Sequence, residues 1–248
     1  MAAAAMIGAP KAQASAAKTF VLVHGAWHGT WCWRRVIDLL EAKGHKVFAL
    51  TLTGLCERSH LLNDNINLTT HIMDVVNLMK WEDLQDVVLC GHSYGGYVIS
   101  GAVEHIGSRV SSIVYLDAFL PENGDALVAS SERVAAIIKN LQDGGKTSLP
   151  PIPAAVFQVN ERDRAWVDKQ CTPQPLKTFT DQIVLSGARE RIGKKTYIRA
   201  RGYASPPFDS VVNKLRDNPG WVKHELPCGH DAMLDMPEQV ADLFIASA

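Results

Sequence analysis

The chain has 248 residues, with 25 Lys and Arg against 26 Asp and Glu and a net charge of -1. Hydrophobic residues make up 47% and charged residues 21%, an ordinary globular balance that buries a large core without covalent staples. Near-neutrality with no basic stripe argues against nucleic acid as a partner, and no polybasic cluster marks a membrane surface. The five cysteines (Cys32, Cys56, Cys90, Cys171 and Cys228) include no C-x-x-C pair, so zinc and dithiol chemistry are not expected. Their odd number speaks against a disulfide framework. No apolar run approaches the roughly 18 residues of a membrane span.

The first 20 residues, MAAAAMIGAPKAQASAAKTF, are alanine-rich and contain Ala12-Gln13-Ala14, a small-residue cleavage pattern. Residues 1–17 are therefore set apart as a disordered tail or the remnant of an export signal. The expected location is cytoplasmic, or periplasmic or secreted if that segment is an export remnant. Residues 18–248 read as one domain.

Thr19 to Val23 is an apolar, β-branched strand that ends at His24-Gly25. Trp31 to Ala42 has helical spacing, Lys46 to Leu52 returns to strand character, and Thr69 to Trp81 carries Ile72, Val75, Val76 and Met79 at helical intervals. Asp86 to Cys90 reads as a strand, Tyr94 to Glu104 as a helix and Ser111 to Leu116 as a strand. Strands alternating with helices at this spacing predict βαβ units and a mostly parallel sheet flanked by helices, an α/β fold. From Pro121 the rhythm changes. Ala126 to Leu141 is helical, GGKTSLPPIPAA is a loop, and 154–185 shows no clear strand. Lys195 to Ala200 and Trp221 to Leu226 are strands again, and Met236 to Ala246 is a final helix. The segment 121–185 is thus expected as an insertion that forms a helical lid.

VVLCGHSYGGYV, residues 87–98, places Ser93 in a G-x-S-x-G turn between a strand and a helix. Such a turn exposes a serine hydroxyl at the end of a sheet, and glycines flank it because side chains there would clash. A serine hydroxyl is a poor nucleophile without a base in reach. Of nine histidines, His230 in LPCGHDAM lies between the last strand and the last helix, at the end of the sheet that carries Ser93. His45, His71 and His105 read as core or surface residues, and His92 as pointing elsewhere on the turn. The oxyanion donors are expected to be the backbone N–H groups of Tyr94 and of Ala26, the latter in the loop 24–29.

HGAWHGTWCW (24–33), LTGLCERSH (52–60), GHSYGGYV (91–98) and TPQPL (172–176) resemble the α/β-hydrolase superfamily, and within it the branch of plant methylesterases and hydroxynitrile lyases. The resemblance runs from about residue 19 to the C-terminus. It implies a serine carboxylesterase acting on small to medium, hydrophobic or aromatic esters through an acyl-enzyme, with no cofactor or metal. The lyases of the branch carry a threonine after the early histidine and a lysine after the catalytic one. Here those positions are Gly25 and Asp231, and an aspartate would repel a cyanide leaving group. A lyase, or a non-catalytic small-ligand receptor on the same fold, is the alternative. Cys56 stands where the branch usually has glycine.

Members of the family place the triad aspartate after the strand that here reads KTYIRA, but RGYASPPFDS offers no carboxylate before Asp209. Asp117 instead ends the strand next to the serine turn, and triads are defined by geometry rather than by chain position. Asp117 is the expected acid, and Asp209, expected to cap the next helix, is the alternative. Gly25, Trp27, Phe119, Leu120, Phe157, Trp166 and Met233 are the candidate pocket residues.

Overall fold

Thr19–Val23 (β1), Val87–His92 (β3), Val110–Leu116 (β4) and Lys194–Ala200 (β7) are buried along nearly their whole lengths. The uninterrupted apolar runs 87–90 and 113–116 within them suit central parallel strands covered on both faces. In the computed structural model, which describes residues 16–248, these strands join Lys46–Leu50 (β2) and Val222–Leu226 (β8) in one six-stranded sheet of order β2-β1-β3-β4-β7-β8. Every pairing in it is parallel. The chain runs outward from β1 to β2 and then returns to β3 on the other side of β1. This reversal opens a crevice beyond the carboxyl ends of β1 and β3, where open α/β sheets bind ligands.

Arg34–Ala42 (α1), Leu68–Trp81 (α2) and Gly95–Ile106 (α3) cover the sheet together with Pro206–Leu215 (α7) and Pro237–Ala246 (α9). Asn67 caps α2 in a reciprocal capping box with Thr70. Between β4 and β7 stand Glu132–Asp143 (α4), Glu161–Gln170 (α5) and the single turn Lys177–Thr180 (α6). The stretch read as strandless contains Gln174–Pro175 (β6), which pairs antiparallel with Ser148–Leu149 (β5). Two residues are too short to leave a periodic signal. A further short helix, Ala232–Asp235 (α8), precedes α9.

Asp209 does not cap α7. Ser205 holds that position, and Asp209 lies in the first turn, bonded to Arg199 and Arg201. The alanine-rich residues 1–15, to which most of the tail reading applies, lie outside the described residues. No helix among the described residues is long and apolar enough to cross a membrane.

Candidate active site

β3 leads straight into α3 through a turn in which Ser93 takes φ 53°, the left-handed region that costs a side-chain-bearing residue strain. The turn is held from below. The Ser93 N–H donates to the Leu116 carbonyl (3.3 Å), and the Ser93 carbonyl accepts from the N–H groups of Gly96 (3.0 Å) and Phe119 (3.2 Å). Two glycines are required by space. A Cβ on Gly95 would stand 2.8 Å from the carbonyl oxygens of Val23 and His24, and one on Gly96 2.0 Å from that of Phe119. The motif therefore lets the serine turn nest against the ends of β1 and β4.

His230 sits in the loop after β8, with Nε2 2.9 Å from Ser93 Oγ and Nδ1 2.6 Å from Asp117 Oδ2. Its backbone is fixed on both sides: its N–H donates to the Phe157 carbonyl (2.9 Å), and its carbonyl accepts from His92 Nε2 (3.0 Å). His92 thus points at the histidine loop rather than away from the site. Phe208 stacks on the imidazole at 5.3 Å and 16°, with Tyr203 at 4.9 Å. The segment after β7, where a carboxylate is expected from the resemblance, thus supplies rings that pack on His230.

Asp117 ends β4 with φ 42° and its N–H bonded to the Ile198 carbonyl (2.7 Å). Its carboxylate is buried. Oδ1 accepts from Arg199 Nη1 (2.7 Å) and the Ala200 N–H (3.0 Å), which leaves Oδ2 for His230. Arg199, also buried, further donates to Asp209 Oδ1 (3.0 Å) and the Tyr203 carbonyl (2.6 Å). Asp209 lies behind Arg199 and binds that residue, not the histidine. Because a carboxylate only accepts, His230 carries its proton on Nδ1, and Nε2 is left to accept from the Ser93 hydroxyl.

The loop after β1 brings Ala26 and Trp27 beside Ser93. Trp27 adopts φ 66°, and its backbone is held by the TPQPL segment: Gln174 Oε1 accepts from its N–H (3.1 Å), and its carbonyl accepts from the Thr172 N–H (3.0 Å). The loop after β1 is thus fastened to the TPQPL segment. Cys56 adopts φ 43°, a left-handed conformation that glycine takes most readily, and its N–H donates to Thr172 Oγ1 (2.8 Å).

A cavity of about 390 Å3 opens over Ser93 and His230, with Ala26 and Tyr94 in its wall. Of the candidate pocket residues, Trp27, Phe119 and Phe157 line it. The other four do not. Gly25 lies under the turn, where a Cβ would be 2.9 Å from Ser93 Cβ. Leu120 faces a separate cavity of about 210 Å3. Trp166 packs edge-on against Trp31 outside the site, and Met233 is wholly buried in the core. Phe179, Phe208, Tyr203, Leu127 and Ile137 also line it, together with polar groups such as Arg133 and Ser130, and nothing in their local sequence marks them for it. Asp231 is buried and pairs with His28 Nε2 (3.0 Å).

Burial drives the His24 pKa down to about 3 and that of His71 to about 4, so both are neutral near pH 7. His71 bonds the Tyr94 hydroxyl (2.9 Å). Among the described residues, His92, His230 and Asp231 come close enough together to suggest a metal site. They fit one poorly, because both His230 ring nitrogens and His92 Nε2 already have protein partners.

Residues 20–243 match the model of the alpha/beta hydrolase family. A carbendazim hydrolyzing esterase from a Nocardioides strain is 40% identical over 92% of this chain and 98% of its own. A methylesterase of Arabidopsis thaliana is 38% identical over 42% of this chain and 40% of its own. Among solved structures, an extracellular alpha/beta-hydrolase from a Paenibacillus species superposes with a TM-score of 0.81 at 23% identity, over 93% of this chain and 99% of that one. The sheet order, the serine turn and these matches lead to one conclusion: the chain belongs to the alpha/beta hydrolase family.

Proposed function

We propose that this protein hydrolyses small to medium carboxylic esters with a hydrophobic or aromatic part, through an acyl-enzyme on Ser93. The observation that carries the reading is the continuous line Ser93 Oγ, His230, Asp117, with both hydrogen bonds at 2.9 Å or less, at the floor of an apolar cavity. His230 Nε2 takes the Ser93 proton as Oγ attacks the ester carbonyl, and Asp117 stabilises the imidazolium that forms. The N–H groups of Ala26 and Tyr94 receive the oxyanion. The leaving alcohol takes its proton from His230, and water activated by the same base then releases the acid.

The segment 121–185 acts as the lid in this reading, because it supplies Leu127, Ile137, Phe157 and Phe179 to the cavity. The hydroxynitrile lyase alternative is not supported. A threonine at Gly25 would press on Ser93 Cβ, and the place of the lyase lysine is held by Asp231, which is committed to His28. The test is hydrolysis of a short-chain nitrophenyl ester, and of carbendazim, by the wild type and by Ser93→Ala. Turnover that falls by at least about 1,000-fold in the variant supports the reading. Equal rates in the two proteins overturn it.

A further inference from the structure

A second set of buried polar groups lies behind the Ser93–His230–Asp117 line. His28 has Nδ1 2.7 Å from the Ala26 carbonyl and Nε2 3.0 Å from Asp231 Oδ2. A peptide carbonyl only accepts, and so does a carboxylate. A neutral imidazole has one N–H to give and would leave one of these contacts without a proton. The remaining arrangement, a neutral imidazole facing a protonated Asp231, puts the shared proton on the stronger acid. A carboxyl is intrinsically more acidic than an imidazolium by more than about two pKa units, so the proton rests on His28. Burial opposes this charge, but Asp231 and the two hydrogen bonds outweigh it: the His28 pKa is raised and that of Asp231 is held below the usual carboxylate range.

Burial pushes the Cys32 and Cys171 thiols beside Asp231 up, so they stay uncharged near pH 7. Burial pushes His24 and His92 far below their ordinary values. Trp31 stacks on the His28 ring at 5.0 Å and 21° and shields it.

The two residues are 203 positions apart, and each adjoins a working part of the site. His28 grips the carbonyl of Ala26, the residue whose N–H is the proposed oxyanion donor. Asp231 directly follows the base His230, and its Oδ1 lies 3.8 Å from His92 Nε2, the atom that holds the His230 carbonyl. We infer that His28 and Asp231 form an imidazolium–carboxylate brace that fixes the oxyanion loop against the histidine loop, making both of them positioning residues for acyl transfer. The inference rests on the ester-hydrolase reading for its catalytic consequence, but not for the charge state of the pair.

The test has two arms. In the first, ring nitrogens are read by NMR on the 15N-histidine-labelled wild type between pH 6 and 9, with His28→Gln to assign the signals. The expected result is two protonated nitrogens on His28 at about pH 6.5, with the second proton lost only above the ordinary histidine midpoint. A single N–H at every pH, or a midpoint at or below the ordinary value of about 6.5, overturns the brace, and this arm needs no variant to fold beyond the one used for assignment. In the second, Asp231→Asn is expected to lower kcat by about 10- to 100-fold with KM within about threefold, the size of effect that sub-ångström misplacement produces. The double variant with His28→Gln is expected to be no worse than either single one. A folded Asp231→Asn with wild-type kcat overturns the positioning role. A wild type that shows the imidazolium but turns over no ester upholds the pair and defeats only the hydrolytic reading.

Discussion

Replacing Asp117 by asparagine reverses one proton, and the structure says which. Oδ1 of Asp117 receives two donors, Arg199 Nη1 and the Ala200 N–H, so the single oxygen of an asparagine must stay on that side. The amide nitrogen then faces His230 Nδ1 and forces that atom to accept. The imidazole proton moves to Nε2, which now points an N–H at Ser93 Oγ and can no longer act as the base. The loss of a correctly placed tautomer is worth about 1,000- to 10,000-fold in kcat, or about 4 to 5.5 kcal/mol at 1.36 kcal/mol per decade. The fold should survive, because Arg199 keeps Asp209 as an anionic partner at 3.0 Å. The assay is steady-state nitrophenyl ester hydrolysis by Asp117→Asn and Asp209→Asn beside the wild type, with circular dichroism as the fold check. Asp209→Asn, whose carboxylate is 43% exposed and does not touch the histidine, should stay within about threefold. An Asp117→Asn enzyme within tenfold of the wild type, beside a dead Asp209→Asn, would refute the assignment of the acid.

Arg199→Met removes one side of a buried ion pair and should lower stability by about 3 to 5 kcal/mol in urea unfolding, and a loss below about 1 kcal/mol contradicts the burial reasoning. Phe179→Ala opens the cavity wall and should raise KM for aromatic esters severalfold, whereas Trp166→Ala should leave KM unchanged; the reverse pattern would displace the pocket. His24 and His71 titrate at about 3 and about 4 in the folded protein against about 6.5 when unfolded. Between these values the unfolded chain binds more protons, so their contribution to stability is present above about pH 6.5 and lost as pH falls toward 4. The two together allow a slope of up to about 2.7 kcal/mol per pH unit, read as a falling urea midpoint between pH 6.5 and 4.5, and a flat midpoint across that window refutes it.

The strand–helix rhythm was legible because 20–23, 87–90 and 113–116 are continuous apolar runs set apart by helical spacing. The serine turn was legible because steric need dictates its glycines. Asp117 could be singled out because 203–205 holds no carboxylate. The partners of these groups could not. Arg199 is one residue in a strand that reads as ordinary, and only the adjacency of β4 and β7 sets it against Asp117. His28 and Asp231 are brought together by tertiary packing across most of the chain, and each alone looks like a common loop residue. The pocket was the least legible part. Aromatic side chains such as Trp166 and Phe179 have the same local signal, and which of them faces the cavity is decided by how the β4–β7 insertion lies over the sheet.

Covalent capture of the nucleophile tests the central claim most directly. The wild type would be treated with a nitrophenyl alkylphosphonate, which a competent serine nucleophile attacks with loss of nitrophenol, and analysed by intact and peptide mass spectrometry. The expected result is one phosphonyl group per chain, on the peptide that contains Ser93, and none on Ser93→Ala or, on the same timescale, on His230→Ala. An unmodified wild type, or a label that persists in Ser93→Ala, would contradict a hydrolase that works through this serine.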